Sequence, residues 1–170
     1  MDLQQASKRM LRQLIYFIDQ IELEQFSAHL SILSGNTIGK HLRHIIEFYQ
    51  HLLMSYTDEQ IVVDYDARQR NHQTETDKEY AKSQLEILIN HLEKANTNRE
   101  MLLCFCLTEQ GERQHISTTF YRELAYNLEH TVHHLAILKM AVITHFPEIP
   151  LSYSFGVAYA TMQNQNTQGT

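Results

Sequence analysis

The sequence predicts an all-α fold, a four-helix bundle with a small β-hairpin inserted before the last helix. Three observations lead there. Apolar residues recur at helical spacing in four long segments, and 170 residues with 43% hydrophobic content suffice for one domain with its own core. Only 5 Gly and 2 Pro interrupt the chain, and the one β-like stretch reads as a small hairpin appended to the helices. The domain is expected to span residues 1–170, with about 160–170 as a frayed tail.

The first helix is placed at Leu3 to Ile21, because Met10, Leu11, Leu14, Ile15, Ile18 and Ile21 form one broad stripe. The second follows "SGNTIGKHLRHIIEFYQHLL", where Asn36 or Thr37 can cap and Ile38, Ile45, Phe48, Tyr49 and Leu52 repeat at helical intervals to about Tyr56. The stretch "IVVDYDARQRNHQTETD" has no helical period and reads as an ordered loop with extended character at its start. "TDKE" at Thr76 to Glu79 has the spacing of a capping box, and Leu85, Leu88, Ile89 and Leu92 then share a face, so the third helix covers Asp77 to Lys94.

"MLLCFCLTEQGERQHISTT" places two short runs on either side of Gly111 and predicts the hairpin. Cys104 and Cys106 stand two apart in its first run and are poorly placed to bridge each other, so they are expected to be packed thiols. The fourth helix runs from about Ser117 to Phe146, stopped by Pro147. In the tail, the apolar first half is expected to dock and the polar end to fray.

Composition narrows the function. There are 14 Lys and Arg against 20 Asp and Glu, net charge -6, and no basic stripe, which argues against nucleic acid as a partner. No uncharged apolar run approaches the roughly 20 residues of a membrane span, and the first residues, "MDLQQASKRMLRQ", are polar where a signal peptide needs an apolar region. The expectation is a cytoplasmic protein with no membrane partner.

Histidine carries the chemistry. The chain has 11, three of them within five residues in "NLEHTVHHLAILK". A rotation of about 100° per residue puts His130 and His134 on one side of the fourth helix, in line with Glu123, Asn127, Ile137 and Ala141. Two imidazoles at i and i+4 can chelate one ion, and a third ligand must come from another helix. His133 is rotated away.

The second helix offers His41 and His44 in "HLRHIIEFYQH", and geometry alone does not choose between them. His29, His72, His91, His115 and His145 read as surface or hydrogen-bonded residues, and Glu47 and Glu129 as solvated helix-face charges. Asn127 and Glu123, one and two turns before His130, are candidates to orient a water or a ligand imidazole. Tyr65, Asp66, Arg68 and Arg70 bring a phenol, a carboxylate and two guanidiniums to one loop. They could bind an anionic substrate arm, or form an internal network that fixes the loop.

With these motifs in place the chain resembles the DinB-like superfamily of metal-dependent enzymes. "SGNTIGKHLRHIIEF" looks like its second-helix motif and "LEHTVHHLAI" like its last-helix HxxxH motif, while "YDARQR", "ETD", "FYREL" and "FGVA" resemble marks of one subgroup. The resemblance implies an up-down-down-up bundle with a metal held by His44, His130 and His134, zinc or nickel among the candidates. It implies a hydrolase or thiol-transferase type of chemistry on a small molecule, with a low-molecular-weight thiol as a candidate cosubstrate. Where many members read Arg-Gly-Gln after the last ligand, this chain has Leu135, Ala136 and Ile137. The alternative is a non-catalytic, stress-related bundle that binds or dimerises, its histidines structural or adventitiously metal-binding; a homodimer is a candidate assembly that the sequence does not decide.

Overall fold

The computed structural model describes residues 2–57 and 61–168. The chain runs α1 (Leu3–Asp19), α2 (Leu23–Ser27), a 3-10 turn (Ser31–Leu33), α3 (Ile38–Thr57), β1 (Val62–Asp64), α4 (His72–Thr76), α5 (Lys78–Lys94), β2 (Glu100–Cys106), β3 (Arg113–Thr119), α6 (Phe120–His145) and α7 (Tyr159–Gln168).

The helices begin where side chains satisfy free backbone donors. The Asp2 carboxylate accepts from Gln5 N, the Thr37 hydroxyl from Lys40 N, and the Asp77 carboxylate from Glu79 N and Tyr80 N. The cap of α5 is therefore Asp77, one residue later than the Thr76 that the capping-box spacing suggests. Likewise Thr119 caps α6 through Arg122 N, and Ser117 to Thr119, expected at the start of that helix, finish β3 instead.

The four long helices pack as a ring in which α3 touches α5 and α6, and α1 touches the same two. Leu11, Leu14 and Ile18 of α1 meet Leu42, Ile45, Tyr49 and Leu52 of α3, Leu85 of α5, and Phe120, Leu124 and Leu138 of α6, all essentially without solvent exposure. At about 1.5 to 3 kcal/mol per large apolar side chain removed from water, this shared core is what holds the histidine-bearing helices together.

The expectation of an all-α four-helix bundle is corrected by a three-stranded mixed sheet of order β1-β2-β3, which makes the architecture mixed α/β. The hairpin is present, with β2 and β3 antiparallel from Glu100↔Thr119 to Cys106↔Arg113. The addition is β1, which pairs parallel with β2 over Val62↔Leu102, Val63↔Leu103 and Asp64↔Cys104. Three residues are too few to show a strand period, and their partner lies about forty residues on, so the pairing depends on contacts that local pattern does not encode. Both cysteines are free thiols, Cys104 buried and Cys106 exposed.

Two glycines mark close approaches of backbone to backbone. A Cβ on Gly39 of α3 would overlap the carbonyl oxygen of Glu75 in α4 and lie 2.5 Å from the Phe26 ring. Gly156, at φ 68°, brings the tail so near α6 that a Cβ would stand 2.6 Å from Ala136 N. Phe155 beside it is buried against Phe17, with ring centroids 4.9 Å apart. The tail thus seals the Leu135–Ala136 segment of α6, and the end of the chain, expected to fray, is helical over Tyr159–Gln168.

Candidate metal centre

His44 projects from α3 and His130 and His134 from successive turns of α6, two helices packed side by side. One ring nitrogen from each falls within 4.8 Å of the others, a group that can hold one metal ion. The His44 and His130 Nε2 atoms are 2.9 Å apart and those of His134 and His130 3.2 Å. Three nitrogens on a tetrahedral ion at Zn–N of about 2.0 to 2.1 Å would be about 3.3 Å apart, so both edges are within a few tenths of an ångström of that face.

The donor set argues the same way. A ring nitrogen has one in-plane site, occupied by a proton or a lone pair. Nε2 of His130 faces two other Nε2 atoms and can form a good hydrogen bond with only one of them. A cation shared by three lone pairs removes the conflict.

Burial keeps these rings in the neutral form that ligation needs. Desolvation, reinforced by the cations and imidazoles around them, pushes the pKa of both His44 and His134 down to about 3, and lowers those of His130 and His41. The His44 shift also reflects the Arg68 guanidinium, and that of His134 the neighbouring His130.

His41 does not belong to the group. Its Nδ1 lies 2.9 Å from His134 Nδ1, the nitrogen that points away from the cluster. With Nε2 of His134 facing an ion, its Nδ1–H donates to His41, which fixes the ring in the manner of an outer hydrogen-bond partner. His133 is exposed and packs only ring against ring on His130 and His134.

The His130 ring packs near-parallel to both Phe48 (4.6 Å, 20°) and Tyr126 (5.6 Å, 17°), which also touch each other with centroids 6.4 Å apart, so the three rings form one aromatic cluster. Phe48 in turn stacks on Tyr65 at 4.6 Å and 6°. This aromatic cluster packs against a ligand ring, and no local sequence signal announces it, since Phe48 and Tyr126 look like ordinary residues of helix faces.

The remaining candidates divide between a buried network and a tethered loop. Glu123 and Asn127 are buried behind Tyr65. The Tyr65 hydroxyl donates to Glu123 Oε2 (3.1 Å) and accepts from Asn127 Nδ2 (2.7 Å), while Thr118 (2.6 Å) and Arg122 (2.8 Å) donate to Glu123 Oε1. Burial raises the Tyr65 pKa, and the Glu123 carboxylate adds to the effect. Among the described residues Asn127 Oδ1 has no partner. Asp66 accepts from Cys106 N, tying the loop to β2, and Arg70 is exposed.

Arg68 donates from Nη1 to Tyr65 O (2.7 Å), from Nε to Glu47 (3.2 Å) and from Nη2 to His44 Nδ1 (3.1 Å). Glu47 is not a solvated charge as its sequence position suggests. It is 2% exposed, paired with Arg43 and Arg68, and accepts from Asn71 N. Glu129 is exposed. A groove of about 830 Å³ between α3 and α5 borders Glu47 and Asn71, but the three histidines do not line it.

Fold and site together define a mixed α/β helical protein with a three-histidine group able to hold a metal ion. Comparison with protein-family models, with curated proteins and with solved structures finds no match for this chain. No helix among the described residues is long and apolar enough to cross a membrane.

Proposed function

We propose that the protein is a metal-dependent enzyme of hydrolase or thiol-transferase type, acting on a small molecule at an ion held by His44, His130 and His134. The observation that carries this reading is that one ring nitrogen from each of the three histidines lies within 4.8 Å of the other two, with His130 Nε2 close to Nε2 of both partners. The likeness of "SGNTIGKHLRHIIEF" and "LEHTVHHLAI" to the DinB-like motifs supports it. Zinc or nickel suits three neutral imidazoles. Bound there, such an ion acts as a Lewis acid that makes a water or a thiol more acidic at its open position.

The chain's own residues supply the rest. His41 orients His134, and the aromatic cluster of Phe48 and Tyr126 packs against His130. Glu123, Asn127 and Tyr65 form a dry, hydrogen-bonded floor under Phe48, and so act by positioning rather than by proton transfer. Arg68, beside His44, supplies positive charge for an anionic arm of the substrate, and the hairpin-tethered Asp66 helps fix its loop.

The test is turnover. Purified protein loaded with zinc or nickel is assayed on activated esters, and on electrophiles with low-molecular-weight thiols. Activity that disappears in a folded His44→Ala variant supports the reading. Turnover equal in native protein and His44→Ala would exclude catalysis at this centre and favour the non-catalytic alternative, in which the four clustered histidines serve the fold.

A further inference from the structure

We propose that Arg68 opposes metal entry by holding His44 in the wrong tautomer, and that an ion binds only by displacing this contact. The inference rests on the metal-site reading above. A guanidinium has five N–H donors and no acceptor. Its Nη2 stands 3.1 Å from His44 Nδ1, so that nitrogen presents a lone pair. A neutral imidazole then carries its one proton on Nε2, the nitrogen that faces His130 at 2.9 Å.

Ligation needs the opposite arrangement. For His44 to ligate while neutral, the proton moves from Nε2 to Nδ1 through solvent, and the ring gains a lone pair where the other two Nε2 atoms meet. Nδ1–H then faces Nη2–H, two donors with nothing between them. Ligating histidines normally donate that N–H to an acceptor, as His134 can donate to His41. His44 has a donor in that place.

The Arg68 contact can yield without the loop unfolding. Its Nε bond to Glu47 and its Nη1 bond to Tyr65 O do not involve the imidazole. Because the guanidinium is a rigid plane held through Nε and Nη1, Nη2 stays in place and the contact is given up by a shift of the His44 ring. Arg68 is thus a positioning residue whose polarity sets the affinity of the centre.

Reversing that polarity is the test. A Gln side chain at position 68 offers a carbonyl oxygen to accept from Nδ1–H, whereas Lys, like Arg, can only donate. Zinc affinity is measured by competition with a chromophoric chelator for native protein, Arg68→Gln and Arg68→Lys, each checked for fold by circular dichroism. Outer hydrogen-bond partners of ligands change metal affinity by about 10- to 100-fold, so Arg68→Gln is expected to bind zinc about tenfold or more tightly than native, and Arg68→Lys no more tightly.

A purely structural role for Arg68 moves both variants toward weaker binding, which overturns the proposal. Tightening in Arg68→Lys overturns it as well. Long-range 1H–15N spectra of the histidine side chains provide a readout on the native protein. The proton of His44 is expected on Nε2 without metal and on Nδ1 with zinc, and Nδ1–H in the metal-free protein contradicts the mechanism. Zinc uptake with no advantage for Gln removes only the role of Arg68; no uptake by either form removes the metal centre itself.

Discussion

Replacing Tyr65 with Phe tests the floor beneath the site, because it deletes one oxygen and leaves the ring that stacks on Phe48. That oxygen makes two bonds in a region closed to water. It donates to Glu123 Oε2, a carboxylate with no solvent exposure, and accepts from Asn127 Nδ2. A hydrogen bond to a charged group contributes roughly 1.5 to 3 kcal/mol, and the neutral one about 0.5 to 1.5, of which part is kept because Asn127 Nδ2 also donates to Glu123 O.

Oε2 of Glu123 is then buried without its partner, so the loss should be about 2 to 4 kcal/mol, a fall of roughly 5 to 15 °C in Tm for a chain of this size. Urea unfolding followed by circular dichroism measures it, and a double-mutant cycle with Glu123→Gln isolates the pair, with a coupling of about 1 kcal/mol or more expected. Metal affinity should change far less than in His130→Ala, because the Tyr65–Phe48–His130 stack is preserved. A destabilisation below about 0.5 kcal/mol would refute the picture of a dry network in which the Tyr65 hydroxyl makes both bonds.

Other consequences concern packing and pH. Gly39→Ala should destabilise by about 2 kcal/mol or more, because its methyl meets the Glu75 carbonyl and the Phe26 ring, and α3 and α4 must separate; thermal melting at native levels would contradict the close approach. Stability of the metal-free protein should fall as pH drops from about 6.5 toward 3. The folded pKa values of His44 and His134 are pushed down to about 3 from the ordinary imidazole value of 6.5, so the unfolded chain binds more protons in that window. Each ring contributes at most about 1.4 kcal/mol per pH unit, reduced by solvent screening because neither is fully buried. Urea midpoints between pH 7 and pH 4 check this, and a stability that does not change over that range would show that the rings are not held neutral.

Much of the architecture can be read from local pattern. The four long helices, the hairpin around Gly111 and the cap at Thr37 follow from spacing and side-chain chemistry, while the cap of α5 falls at Asp77, one residue past the Thr76 that the capping-box spacing marks. What escaped is non-local. Val62 to Asp64 becomes a strand only because β2 lies parallel to it, and Glu47 looks like a surface charge until Arg68 and Asn71 fold back over it. The i, i+4 pair His130 and His134 was visible in the sequence, but spacing left His41 and His44 equivalent. They separate once α3 packs on α6, where one turn brings His44 to Nε2 of His130 and leaves His41 at the far nitrogen of His134.

The central claim is that His44, His130 and His134 hold one ion. Metal stoichiometry by elemental mass spectrometry, on untagged protein purified without chelator and on each single His→Ala variant, tests it most directly. One equivalent of a transition metal is expected in the native protein and in His133→Ala, and none in His44→Ala, His130→Ala or His134→Ala. Native protein without metal above background, or metal retained after loss of any of the three, would contradict the assignment.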